Sequence, residues 1–346
     1  MVAGVVVALA LAETGLRVQT KVSGRDPRAD LRAAFRTYAP PFRGECMEIE
    51  DAPLGALLLP SEYRDLIYEL KPNLDTCFHQ VRVLTNSQGL RSPVTYAQPK
   101  PPGLYRILLL GDSQTFGWGV SYSETFGALM AAELSSRGRA VEVVNAGIPG
   151  YNTTQEAAFL KYYGSGYQPD CVLVLFIGND FGLPTFLLDP SKAPVPASYV
   201  LELLKKTARS WSGPPKPVST DPWEAVDESL FDWVSEEEMA RVPEAYRHMV
   251  GVSGYRRALG SLAETAKSWG VPIVNFADYR MLDPPLVDEL VRLHESLGIV
   301  RPEFQYPVRM RYWLNRRDPH LNPAGHKILA ERMLKGLEEE GVCRPQ

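Results

Sequence analysis

Residues 105–120 read YRILLLGDSQTFGWGV. Ile107–Leu110 is a short, wholly apolar run, the pattern of a strand buried on both faces. It breaks at Gly111-Asp112-Ser113-Gln114-Thr115. A helical period follows over Thr125–Arg137, where Phe126, Leu129, Met130 and Leu134 share one face and Gly138 stands as the C-terminal cap. A buried strand, a polar turn and a helix in that order form the opening unit of a parallel sheet.

The same unit recurs further along the chain. Val141–Asn145 is a second strand, leading through AGIPGYN into a helix whose Thr153-x-x-Glu156 has the form of a capping box. Cys171–Ile177 is a third strand. A helical stretch at 254–269 precedes a fourth, Val271–Phe276. The last helix begins NPAGHKILAERML, with Asn322 as N-cap and Pro323 at the first helical position. The alternation predicts an α/β fold with a parallel sheet of four or five strands and helices on both faces.

The remainder is organised around this unit. Residues 1–18 are an apolar N-terminal segment, and residues 19–103 are loop-rich, with one strand at Val81–Thr85 and a Pro-rich connector, PVTYAQPKPPG. The strand–helix domain is expected over 104–341. Residues 182–250 interrupt it as an insertion, with a basic piece at Leu201–Arg209 and an acidic, Trp-containing piece at Trp223–Glu238. The 29 prolines of the 346 residues exceed the usual ~5 % and fall largely in these loops.

Composition narrows the function. A net charge of −4 argues against a nucleic-acid binder. No run of 18 apolar residues occurs, which excludes a multi-span membrane protein. Val2–Ala12 is uncharged and apolar but about half the length a spanning helix needs. It reads either as a buried or frayed helix or as part of a membrane anchor or signal region that starts upstream. Of the four cysteines, Cys171 sits in the apolar run CVLVLFIG and reads as a buried hydrophobe, and Cys46 and Cys77 could pair in an exported protein. No GxSxG elbow, Walker A lysine motif, HExxH or strand-borne GxGxxG is present.

Ligands of a parallel sheet bind beyond the carboxyl ends of its strands. The polar residues there are Asp112 and Ser113 after the first strand, Gly147, Gly150, Tyr151 and Asn152 after the second, and Asn179 and Asp180 after the third. Asp318-Pro319-His320 lies just before the last helix. A serine at a strand-to-helix turn becomes a nucleophile when a base reaches it. Backbone N–H groups of such loops, with an asparagine amide, suit an oxyanion. His320 could be the base, with Asp318 setting its tautomer.

GDSQTFGWGV, NAGIPGYNT, IGND and DPHLNPAGH, in that order, resemble the four blocks of the SGNH (GDSL-type) serine hydrolases over about 104–341. YELKPN and VRVLTNSQGLRS ahead of them resemble bacterial envelope members with an N-terminal anchor, which implies an extracytoplasmic, cell-envelope location and membrane association through residues 2–12. The resemblance implies a three-layer α/β/α flavodoxin-like sandwich with Ser113 as nucleophile and His320 as general base. It implies an oxyanion hole of Ser113 N–H, Gly150 N–H and the Asn179 side chain, and requires neither cofactor nor metal. Gly150 fits the block better than Gly147, because it precedes the YNT segment. One departure stands out. The family's aspartate lies three residues before the histidine, whereas Asp318 lies two before His320.

The reaction so implied is hydrolysis of small-molecule or carbohydrate esters, including O-acetyl groups on polysaccharide, through an acyl-serine. An O-acetyltransferase with the same Ser-His-Asp site and a non-catalytic carbohydrate-binding or assembly protein are the alternatives. Asp112 and Asp180 read as local hydrogen-bonding residues, and His326 as packed against the sheet. His79, His248 and His294 have no partner at metal-ligand spacing. Arg309, Arg311, Arg316 and Arg317 form either a solvated face or a clamp for an anionic substrate. Trp118 and Tyr151 either stack on a sugar ring or wall the pocket.

Overall fold

The computed structural model describes residues 10–15, 46, 51–188, 223–231, 233–235 and 237–345. Four parallel strands form the central sheet: β1 (Tyr105–Gly111), β2 (Val141–Gly147), β3 (Cys171–Phe176) and β4 (Ile273–Ala277), in the spatial order β4-β3-β1-β2. This is the flavodoxin-like order. A parallel bridge between Val274 and Val300 adds the start of a fifth position beyond β4.

The three layers follow from the period of two along each strand. Leu108, Leu110, Val144, Val172 and Val174 enter one core. It is closed by α3 (Thr153–Phe159), α4 (Gly251–Trp269) and α5 (Pro284–Leu297). Ile107, Leu109, Val143, Leu173 and Leu175 enter the other. That side is covered by α2 (Phe126–Ser136) and α6 (Pro323–Glu340). Each strand is apolar on both faces because each face meets a helix layer.

Local signals place the helix ends. Thr125 caps α2, and Asn322 caps α6 by accepting from the Gly325 N–H at 3.0 Å, with Pro323 in the first turn. At α3 the capping box is not the one expected. Asn152 accepts from the Gln155 N–H, and the Gln155 side chain accepts from the Asn152 N–H, both at 3.2 Å. Glu156 instead turns into the core, 1 % exposed.

Cys171 is buried as its apolar run requires, but it is not a free hydrophobe. It forms a disulfide with Cys343, which binds the central strand β3 to the segment after α6. A separation of 172 residues carries no signal of this in the sequence. Cys46 and Cys77 form the second bridge.

Residues 51–103 hold two small hairpins, Leu58–Pro60 with Tyr68–Leu70 and Asp75–Phe78 with Val81–Leu84. Leu57, Tyr68 and Phe78 join the same core as α3 and α4, so the segment packs on the sheet. The connector is tied down by Arg106 on β1, fully buried, which donates to Ala97 O at 3.0 Å and Tyr167 O at 2.7 Å and pairs with Glu142 at 2.6 Å. The described part of the 182–250 insertion is a hairpin, Phe186–Leu188 with Trp223–Ala225, and three 3-10 turns. The basic piece Leu201–Arg209 and most of the apolar segment 2–12 lie outside the described residues. Among the described residues no helix is long and apolar enough to cross a membrane.

Candidate active site

The polar turn after β1 opens α1 (Ser113–Phe116), with Asp112 as N-cap accepting from the Gln114 N–H at 2.9 Å. Ser113 is the first residue of this helix, so its N–H has no intrahelical acceptor. Its hydroxyl lies 2.8 Å from His320 Nε2 and 3.1 Å from Asp112 Oδ2. His320 Nδ1 lies 2.6 Å from Asp318 Oδ1, which also accepts from the His320 backbone N–H at 3.1 Å. The hydrogen bond from His320 holds the Asp318 carboxyl below its ordinary value. An ionised Asp318 keeps the imidazole proton on Nδ1 and leaves Nε2 to accept from Ser113.

The two-residue spacing of Asp318 and His320 has a structural reason. Both lie on the strand Asp318–Leu321, paired with Trp313–Asn315, and residues i and i+2 of a strand point to the same side. Pro319, between them, points away and is exposed. The Gln114 side chain accepts from the Leu321 N–H at 3.2 Å and so ties this strand to the helix that begins at Ser113. Trp118 stacks on His320, ring centroids 4.7 Å apart and planes within 9°.

The other two loops arrive from β2 and β3. Gly150 has φ +76°, and a Cβ there would lie 2.0 Å from Thr185 Oγ1 and 2.9 Å from Tyr68 Oη. Gly147 instead packs under α1, where a Cβ would lie 2.3 Å from Phe116 N. Asn179 stands in the Gly178–Phe181 turn, its Nδ2 donating to Asp112 Oδ2 at 3.0 Å. The other amide proton of Nδ2 is left for a ligand. Asp112 therefore orients both the serine and the amide, which goes beyond the local hydrogen bonding expected of it.

Two further residues were not legible in the sequence. Arg91, 1 % exposed, donates to the carbonyls of Phe116, Gly117 and Val120 and lies 4.7 Å from the Phe116 ring. It satisfies the carbonyls that α1 leaves open at its C-terminus. Tyr68 donates to Pro149 O at 3.0 Å, and Tyr151 donates to Tyr68 O at 2.5 Å, which fixes the Gly150 loop. The NSQGLRS segment was the nearest signal, but nothing in it named a partner.

Tyr151 is buried and forms a wall, and Trp118, half-buried, packs against both His320 and His79. His326 is buried and accepts from the Phe126 N–H at 3.3 Å; burial pushes its pKa down to about 3, and it stays neutral. Arg309, Arg311, Arg316 and Arg317 are all exposed. Among the described residues no group of three or more His, Cys, Asp or Glu is placed to hold a metal ion.

Beneath the site lie three buried carboxyls, Asp112, Asp180 and Glu156. Asp180 accepts from Thr153 Oγ1 at 2.7 Å and the Ile177 N–H at 2.6 Å. Neither carboxyl oxygen of Glu156 has a hydrogen-bond partner. Burial, then the charges of Asp180 and Asp112, push Glu156 well above its ordinary value. A raised acid binds a proton in the native state that the unfolded chain has lost, so its stabilising effect is complete at acid pH and declines as pH rises. Glu156→Gln is expected to flatten this decline as pH rises above the ordinary carboxylate range, raising Tm by a few degrees more at the alkaline end. Melting curves from acid to mildly alkaline pH check it, and parallel wild-type and variant profiles would show that the Glu156 pKa is not raised by folding.

The profile of the GDSL-like lipase/acylhydrolase family matches residues 109–328. The chain belongs to this family. No curated protein matches it. Among solved structures, TesA is similar at 15 % identity, over 68 % of this chain and 98 % of that one, with a TM-score of 0.42. The psychrotrophic esterase EstA from Pseudoalteromonas sp. is 11 % identical over 68 % and 97 %, with a TM-score of 0.42. A lipase/acylhydrolase from Enterococcus faecalis is 16 % identical over 68 % and 96 %, with a TM-score of 0.39. This GDSL-like acylhydrolase is thus a hydrolase acting on esters.

Proposed function

We propose that the enzyme cleaves carboxylic esters through an acyl-serine on Ser113. The observation that carries the reading is the hydrogen-bonded line from Ser113 Oγ through His320 to Asp318, at 2.8 and 2.6 Å. His320 Nε2 takes the hydroxyl proton as Oγ attacks the ester carbonyl. The oxyanion is held by the Ser113 N–H, the Gly150 N–H and the Asn179 amide, from the ends of three adjacent strands. The intermediate collapses, the carbonyl–alkoxy bond breaks, and the imidazolium returns its proton to the departing alcohol. Water, deprotonated by the same imidazole, then attacks the acyl-serine, releasing the acid and restoring the hydroxyl. Hydrolysis of p-nitrophenyl acetate by the wild type and by Ser113→Ala tests the reading, and equal activity of the two overturns it.

The same proposal places the protein in an oxidising, extracytoplasmic compartment. Support comes from the cysteines, all four of which are paired in two disulfides. Maleimide labelling of protein denatured from its native host is expected to find no free thiol. Four reactive thiols there would place it in a reducing compartment.

A further inference from the structure

His79 and Gln80 form the two-residue turn of the hairpin Asp75–Phe78 with Val81–Leu84, at φ +48° and +62°. Two consecutive positive φ values suit Asn-Gly, which adopts them at least cost. A histidine and a glutamine stand there instead, so the ring at the first turn position is kept against the local preference. The Asp51 carboxylate accepts from the Gln80 N–H at 2.9 Å, and Cys77, two residues before His79, is bridged to Cys46. The hairpin is thus fastened at two points, and its tip reaches the site from outside the 109–328 stretch of the family domain.

What the tip meets is Trp118. The His79 and Trp118 ring centroids are 4.4 Å apart, and Phe78 meets Trp118 edge-on at 4.7 Å. Trp118 in turn stacks on His320. Its indole N–H is buried without a hydrogen-bond partner, so ring contacts set the angle of the indole. The backbone beneath is fixed: the Trp118 N–H donates to Ser113 O at 3.1 Å, and Gly117 and Gly119 on either side have φ +89° and +71°. His320 needs such a support. It lies on a short two-stranded hairpin and is 22 % exposed. Its ring nitrogens bond in the plane of the ring, to Asp318 and Ser113, so a tilt of the ring bends both bonds. A second ring pressed parallel to it resists that tilt.

We infer that Trp118 and His79 are positioning residues: Trp118 holds the His320 ring in the plane that joins Ser113 to Asp318, and His79 acts through Trp118 by bracing the indole. The inference rests on the Ser113–His320 reading. When His320 takes the Ser113 proton it becomes an imidazolium, and the face of an indole attracts that cation. The stack therefore favours the transition state over the resting enzyme, and its loss falls on kcat rather than KM. Burial holds His79 below its ordinary pKa against the pull of Asp318 and Asp51, so at neutral pH it meets Trp118 as a neutral ring and adds no like charge beside His320.

The experiment measures kcat and KM for p-nitrophenyl acetate with the full-length wild type and its variants. Trp118→Leu keeps an apolar side chain and removes the ring, and His79→Asn removes a ring while suiting the positive φ of the turn. We expect kcat to fall about 10- to 100-fold in Trp118→Leu and about three- to tenfold in His79→Asn, with KM within about twofold. Trp118→Phe and His79→Phe, which return a ring, should recover most of each loss. The double variant His79→Asn/Trp118→Leu should be no slower than Trp118→Leu alone, because His79 has nothing to brace once the indole is gone. The low-field 1H NMR signal of the His320 Nδ1–H bonded to Asp318 should be sharp in the wild type and broadened in Trp118→Leu, a change a merely structural role would not cause. Losses that multiply in the double variant, or that fall on KM alone, overturn the inference. His79→Asn, at an exposed turn, decides it even if Trp118→Leu does not fold: an unchanged kcat there overturns it, while Ser113-dependent hydrolysis leaves the esterase reading standing. Wild-type turnover in Ser113→Ala overturns both.

Discussion

Ser113→Ala is expected to lower kcat for p-nitrophenyl esters by about 10^4- to 10^6-fold. The substitution removes Oγ and with it the acyl-serine. It leaves the Ser113 backbone N–H, Gly150 and Asn179 in place, so residual catalysis above water should survive. The fold should tolerate the change. Ser113 is 8 % exposed at the first position of a helix whose cap is Asp112, and its hydroxyl satisfies no backbone group. Tm should therefore stay within a few degrees of the wild type. Asp112 loses one of the donors facing it but keeps the Gln114 N–H and the Asn179 amide. A folded alanine variant with wild-type turnover would remove Ser113 from the mechanism.

Asp318→Asn carries the second large effect. The amide keeps the shape of the carboxyl but cannot hold a proton on His320 Nδ1 as an anion does, and its NH2 can pair with Nδ1 in the wrong tautomer. Nε2 would then carry the proton and could not take one from Ser113. A loss of about 10^2- to 10^4-fold in kcat with KM little changed is expected; the lower bound reflects that Asp318 and His320 are about a fifth exposed, so water competes for both. The charge also has a stability signature. Because the folded Asp318 carboxyl is held below its ordinary value of 3.8, its contribution is complete above that pH and is lost as pH falls through the lower folded value. The variant should lack this component of acid unfolding. A change of only a few-fold in kcat would show that another group orients His320.

Much of this was legible because it is local. Ile107–Leu110 and Cys171–Ile177 are apolar at consecutive positions, and such runs are stable only where both faces of a sheet are covered. The strand ends then name the loops that carry Ser113, Gly150 and Asn179. The helix α6 was announced by Asn322 and Pro323, since capping depends on neighbours within four residues. At α3 the same logic chose the wrong pair, one residue late. Thr153-x-x-Glu156 and Asn152-x-x-Gln155 satisfy the same local rule, and only the demand of Asp180 for the Thr153 hydroxyl separates them.

The chain's own sequence determined the strand–helix alternation, the turns at the strand ends and the residue types they hold, because periodicity and capping are set by the backbone and its nearest neighbours. Tertiary structure alone decided the rest. It made a two-residue spacing workable by casting Asp318 and His320 on one side of a short strand. It paired Cys171 with Cys343, placed Arg91 on the carbonyls behind Ser113, and left Glu156 buried without a partner. It also assembled an apolar cavity from segments as distant as Gln114, Phe181, Met281 and Val308. Contacts of this kind are made by packing between elements far apart in the chain, where neither period nor spacing records which side chains will meet.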